Sequence, residues 1–173
     1  RRWMLSYAIL APHSHNLQSW LVDLREANVI TLRMDLKRLL PETDPFSRQM
    51  VMSQGTFVEL LDQAARQRGY RTDIQLFPEG AYSANSPDAR PTARIRLTQD
   101  ATVSADPLFA QVFKRHTNRL AYEPRLPHGE ALAAIRASTM GFPVTVGFTD
   151  AMRADEVETH RRIAKEAWRT ELT

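Results

Sequence analysis

Two short stretches concentrate the side chains able to bind or react. Residues 11–20 read Ala-Pro-His-Ser-His-Asn-Leu-Gln-Ser-Trp, and seven of these ten side chains can hydrogen-bond. An Asn or Gln amide offers one donor face and one acceptor face. Asn16 and Gln18 therefore suit a polar heterocycle with adjacent N–H and C=O groups. The same residues also fit an ordinary polar loop whose Asn and Ser side chains cap turns. Residues 114–119 read Lys-Arg-His-Thr-Asn-Arg, three cations with a hydroxyl and an amide. Arginine forks meet phosphate oxygens in pairs, and a Thr hydroxyl adds a further donor. A solvated basic helix end would have the same composition. His13 and His15 could set two imidazoles on one side of an extended loop. Nothing nearby in sequence supplies the third ligand that zinc or iron needs, so no metal site is expected. There is no Ser-His-Asp order and no glycine-rich phosphate loop.

The chain of 173 residues is 43% hydrophobic and 25% charged, enough to bury a core. It holds no cysteine, which excludes disulfides, thiolate metal sites, iron–sulfur clusters and a thiol nucleophile. No apolar run approaches the roughly eighteen residues of a membrane span, so no membrane partner is expected. The net charge is +3 with a pI near 9.6. That excess favours an anionic ligand but is weak evidence for nucleic acid, which is not expected as a partner. Arg1-Arg2 before Trp3-Met4-Leu5 invites a twin-arginine export reading. No long apolar region or small-residue cleavage site follows it. The expectation is a cytoplasmic protein, or a periplasmic one if an upstream twin-arginine leader has been removed.

The elements that must position these stretches can be read from periodicity. Residues 3–11 suggest a mostly buried helix stopped by Pro12. Residues 20–25 and 29–34 read as a hairpin, and Leu36 to Leu40 as one helical turn. Asp44-Pro45 signals the start of a helix to about Arg68, capped by Gly69. Its stripe is Phe57, Leu60, Leu61, Ala64 and Ala65. Gly55 inside it reflects either close packing against a backbone or flat ligand, or simple tolerance. Residues 72–77 and 93–97 alternate as strands. The loop 78–92 is either a lid or a surface excursion. Asp106-Pro107 repeats the helix-start signal, with Leu108, Phe109, Val112 and Phe113 as an apolar face. Residues 116–129 read as irregular, Glu130 to Ser138 as helix and Val144 to Phe148 as a short strand. Asp150 would cap a last helix with Val157, Ile163, Ala164, Ala167 and Trp168 inward. Trp3, Trp20 and Trp168 read as core, and His128 and His160 as surface residues. The sum is an α+β fold, helices covering an antiparallel or mixed sheet.

Taken together, the two stretches resemble the FMN-dependent nitroreductase family. The first is similar to its Ala-Pro-Ser-x-x-Asn-x-Gln-Pro-Trp loop through Ala11, Pro12, Asn16, Gln18 and Trp20. The second is similar to its Arg-Arg/His-Ser/Thr-x-Arg/Lys phosphate motif through Arg115, His116, Thr117 and Arg119. Two departures stand out: His13 takes the place of the usual Ser, with Ser14 beside it, and Ser19 that of the Pro before Trp20. In an ordinary member the phosphate motif precedes the loop, whereas here it follows about a hundred residues later. That order resembles the fused double-domain branch, the Acg-like and twin-arginine nitroreductase-like proteins, where one polypeptide imitates the homodimer.

The resemblance implies a nitroreductase-like α+β fold. It implies residues 1–105 as a first half and 106–173 as the start of a second, apparently incomplete half, forming a pseudo-dimer or a homodimer. It implies FMN as cofactor and NAD(P)H as electron donor, with a nitroaromatic, quinone or similar small molecule as acceptor. Pro12, His13, Ser14, Asn16 and Gln18 would face the flavin ring. Arg115, His116, Thr117 and Arg119 would hold its phosphate and ribityl end. No catalytic residue is implied, because the cofactor carries the electrons. The alternative is a flavin-binding or flavin-sequestering protein without turnover, with loop 78–92 covering the ring.

Overall fold

In the computed structural model, residues 1–83, 86–123, 125, 127–149 and 153–171 are described. The chain divides into two compact units, Arg1–Thr117 and Asn118–Thr173.

The first unit is built on the long helix α2, Arg48–Arg66. Its apolar stripe is buried as the 3.6-residue period requires: Phe57, Leu61, Ala64 and Ala65 are fully enclosed. The start differs from the expected Asp44-Pro45. Ser47, in the left-handed region, precedes the first helical residue. Asp44 caps from three residues further back, its carboxylate accepting from the Arg48 N–H at 2.9 Å and the Met50 N–H at 3.0 Å. A carboxylate there also complements the positive end of the helix dipole. Gly69 follows the C-terminus with φ +67°, a conformation that glycine adopts without a Cβ clash.

Antiparallel to α2 lies α1, Arg2–Ala8. Trp3 meets Arg68 beyond the end of α2, while Pro12 reaches Thr56 in its first half. Only one face of this segment is buried, by Met4, Ala8 and Ala11; Ile9 and Leu10 are exposed.

Four strands form one sheet in the order β1-β2-β4-β3, every pair antiparallel. They are β1 Trp20–Asp23, β2 Val29–Met34, β3 Tyr70–Leu76 and β4 Ala93–Gln99. The expected hairpin is present, with Trp20 opposite Met34. Ile30, Leu32, Ala93, Ile95 and Leu97 pack with the α1 and α2 residues into one core. Truncating Phe57 to Ala at its centre would cost roughly 3–5 kcal/mol. The fold is thus α+β: an antiparallel sheet with helices packed on it.

Besides a 3-10 turn at Ser14–Asn16, two others complete the unit. Leu36–Arg38 is capped by Asp35, which accepts from the Lys37 N–H at 3.0 Å. At Pro107–Gln111 the helix-start signal yields only such a turn, and Asp106 accepts from the Leu108 N–H at 2.8 Å. Phe109 and Val112 pack on the core, whereas Leu108 and Phe113 are exposed. Loop 78–92 is fastened to itself. Arg90 forks onto Asp88 and donates to the carbonyls of Glu79 and Ala81, and the Tyr82 hydroxyl lies 2.8 Å from that of Thr92. Among its described residues it is an anchored surface excursion; Asn85 lies outside them.

The second unit holds α3, Gly129–Ser138, and α4, Ala154–Glu171. Two expectations fail here. Val144 to Phe148 forms no strand, because no neighbouring chain among the described residues supplies a ladder. Ile163 and Trp168 are 58% and 64% exposed, so the apolar face of α4 is not inward, and Trp168 is not core. Periodicity identifies an apolar face but not what covers it. The expected cap Asp150 lies outside the described residues.

Candidate functional site

Residues 12–19 sit on the N-terminal half of α2, held by a polar stripe at Gln49, Ser53 and Thr56. The i, i+4, i+7 spacing puts these three on one helical face. The Thr56 hydroxyl donates to the Pro12 carbonyl at 2.7 Å. The Ser14 N–H donates to Ser53 Oγ at 3.1 Å, and that hydroxyl donates to the Gln49 carbonyl at 2.7 Å. From the other side Arg38 donates to the Leu17 carbonyl at 2.8 Å, and the Asp35 N–H to the Ser19 carbonyl at 2.9 Å. Trp20 closes the loop by donating its indole N–H to the Ser53 carbonyl at 3.2 Å, with its ring on Phe57.

The backbone of this loop is engaged; its amides are not. Asn16 and Gln18 are exposed, their side chains joined to one another by a 3.4 Å contact. His15, Asn16 and Gln18 all take left-handed conformations, with φ of 49°, 54° and 51°. Non-glycine residues seldom adopt that geometry, which needs support from the surroundings. His13 is half-buried and turned into the loop. Its Nδ1 lies 2.8 Å from the Ser14 carbonyl and its Nε2 2.8 Å from Ser19 Oγ.

Residues 114–119 are in a different state. All are exposed and none lies in a helix or strand. Their anchor is the turn before them. Gln67, just past α2, donates to the Asp106 carbonyl at 3.3 Å, and Phe113 packs edge-on against Tyr7 at 5.5 Å. Ser53 and Gln67 are fourteen residues apart along helical chain, roughly 20 Å. The loop and the turn leading to Arg115 are therefore fixed toward opposite ends of α2. Arg115 and Arg119 have no ion-pair partner among the described residues, unlike Arg25, Arg66 or Arg90. His116 Nδ1 lies 3.1 Å from the Lys114 carbonyl. No described hydrogen bond joins 12–18 to 114–119. Arg115 and Thr117 belong to the first unit, and Arg119 to the second.

Taken separately, each stretch suits one end of a flavin mononucleotide, outward amides for the ring's N–H and C=O groups and guanidiniums without an ion-pair partner among the described residues for a phosphate, but the first unit does not bring the loop and Arg115 together around one ligand. The Arg25 fork holds the Asp23 carboxyl far below the usual range, Arg90 lowers Asp88, and hydrogen bonds from Thr102 lower Asp100. Burial raises the Tyr82 phenol. Among the described residues no three His, Asp or Glu side chains converge on a metal position. No helix among them is long and apolar enough to cross a membrane.

Sequence reasoning missed Gln49, Ser53, Thr56 and Gln54 as supports of the loop. Their signal was present in the polar face of α2 beside its apolar stripe. The helix could be read from the sequence, but not which loop would lie on that face.

An antiparallel sheet backed by two helices, with an amide-bearing loop braced on the longer helix, is consistent with a nitroreductase-like fold. The chain is 31% identical, over 159 residues, to a protein of Serratia sp. (strain ATCC 39006) named "Probable NAD(P)H nitroreductase PigM". The similarity covers 87% of this chain but 43% of that protein, so the chain spans less than half of its relative's length. No protein-family model matches the sequence.

Proposed function

We propose that the chain is a nitroreductase-type oxidoreductase. It binds FMN noncovalently and passes electrons from NAD(P)H to a small-molecule acceptor of the nitroaromatic or quinone class. Bound FMN supplies the two-electron chemistry. The chain's own residues bind and orient. Arg115 and Arg119 neutralise the phosphate, Thr117 donates a hydrogen bond to it, and His116 meets the phosphate or ribityl end. Asn16 and Gln18 turn their amides to the ring, and Pro12 and Ser14 wall one of its faces. No side chain is required as a general acid. The role of Arg119 rests on the resemblance of residues 115–119 to the family's phosphate motif.

The observation that carries this reading is the 31% identity to a named NAD(P)H nitroreductase over most of the chain. The outward amides of Asn16 and Gln18, and an Arg115 without an ion-pair partner among the described residues, support it. On this reading residues 1–105 are one nitroreductase-like half and 106–173 belong to a second, paired within one polypeptide or between two copies. The working compartment is the cytoplasm, where NAD(P)H is abundant.

The test is an absorbance spectrum of the purified protein with added FMN, followed by anaerobic NADPH or NADH and then a nitroarene. Flavin absorbance that bleaches and recovers is expected. A bound flavin inert to both nicotinamides would overturn the reductase assignment, and failure to bind FMN would overturn the whole reading.

A further inference from the structure

We infer that His13 is a positioning residue, a clamp that closes residues 14–18 into the left-handed geometry presenting Asn16 and Gln18. The inference deepens the proposed function and rests on it where the flavin is concerned. The clamp itself rests on the geometry of the loop.

The Ser14 carbonyl, 2.8 Å from Nδ1, can only accept, so Nδ1 carries the ring proton. Nε2 is then an acceptor. It takes the Ser19 N–H at 3.1 Å and the Ser19 hydroxyl at 2.8 Å. One imidazole thus ties the first residue of the loop to its last. Behind Ser19, Gln54 Nε2 donates to the Ser19 carbonyl at 3.2 Å and approaches its hydroxyl at 3.4 Å. Ser19 and Gln54 are fully buried, and Gln54 Oε1 has no partner among the described residues. The edge of His13 also meets the Trp20 ring at 5.0 Å, which limits the imidazole's rotation.

The residues enclosed by this clamp include all three left-handed positions of the loop, His15, Asn16 and Gln18. Such backbone persists only where its surroundings over-determine it. The clamp also requires this residue pair. Proline at position 19 would lack the N–H that Nε2 accepts, and it would disfavour the α-type backbone of Gln18. A serine at position 13 could not span from the Ser14 carbonyl to Ser19. His13 and Ser19 are therefore one coupled feature rather than two independent changes in the loop.

The experiment compares wild type, His13→Ala, His13→Gln and Ser19→Ala by hydrogen exchange of flavin-free protein, with FMN affinity measured by fluorescence quenching. His13→Ala should speed exchange across residues 14–19 at least tenfold while α2 is unchanged. FMN binding should weaken about tenfold. The amide oxygen of His13→Gln can again accept from Ser19 and should recover most of both losses. Ser19→Ala, which keeps the N–H, should give a smaller change of the same kind. Unaltered exchange over 14–19 in both His13→Ala and Ser19→Ala overturns the clamp whatever the flavin does. Faster exchange with undiminished FMN affinity overturns the positioning role. A wild type that binds no FMN removes the flavin reading, and the exchange comparison still decides the clamp.

Discussion

The loop 12–19 and the segment 114–119 have similar chemistry in the sequence and opposite character in the structure. Both are short, polar and bounded by apolar residues. The loop's backbone is gripped by Ser53, Thr56, Arg38 and the clamped His13, leaving two amides outward. The basic segment has exposed guanidiniums, and its described hydrogen bonds are local, to the turn before it and among residues 114–120. The difference shows that residue type selects the ligand chemistry, while the packed frame beneath a stretch decides whether its geometry is set before the ligand arrives. Preorganisation lowers the entropy lost on binding. The loop should contribute orientation and the basic segment charge.

The contrast is open to being broken. Its largest test is Arg115→Ala. Charged hydrogen bonds to a phosphate contribute about 1.5–3 kcal/mol, so FMN affinity should fall roughly ten- to a hundredfold with the melting temperature unchanged. A melting temperature that falls with it would show the segment to be structural. Ser53→Ala should do the reverse, destabilising the protein by about 1–3 kcal/mol because the half-buried Ser14 N–H loses its acceptor. Chemical denaturation measures it, and an unchanged midpoint would mean that the loop is not braced through this hydroxyl. Gly55→Ala sharpens the comparison from within α2. An added Cβ at this exposed glycine meets nothing within 4 Å, so close packing inside the chain does not require it. The substitution should raise stability by about 0.5–1 kcal/mol. If it lowered FMN affinity as well, a ligand would explain the glycine.

The smallest effect concerns pH. Asp23, Asp88 and Asp100 are all lowered in the folded state. Their contribution to stability is complete above the ordinary carboxylate pKa of about 3.9 and is lost as pH falls through the lower folded values. Thermal melts should therefore be insensitive to these groups from pH 7 to about pH 5 and decline in acid. All three carboxylates are only partly buried and pair with arginines at the surface, so the decline they cause should be shallow and weakened by salt.

Much of the fold was legible beforehand. The β1–β2 hairpin, the stripe from Phe57 to Ala65, the Gly69 terminator and the Asp106 cap all express local physics: period, capping and turn preference; Asp44 does bind the end of α2, but from outside a helix that begins only at Arg48. The failures share a different cause. Val144 to Phe148 alternates like a strand, but alternation cannot supply a hydrogen-bonding neighbour. Ile163 and Trp168 mark an apolar face of α4 without naming what meets it. Asp106-Pro107 starts a helical turn correctly, yet the turn ends at Gln111, with Phe109 and Val112 packed on the core. In the candidate site the amides and guanidiniums were visible as residue types, whereas Ser53, Thr56 and Gln54 emerged only when α2 and the loop were seen together.

By itself the sequence determined the α+β character, the strongest helical core stripe, the absence of thiol chemistry and the two polar stretches. Each of these depends on the residues present or on neighbours close along the chain. Tertiary structure alone decided that His13 faces Ser19, that a polar stripe of α2 carries the loop, and that the basic segment is left exposed. Those outcomes depend on contacts between residues far apart in the chain, such as Thr56 with Pro12 and Phe113 with Tyr7. The free energy that selects such contacts is set by the packing of the whole unit rather than by any local preference.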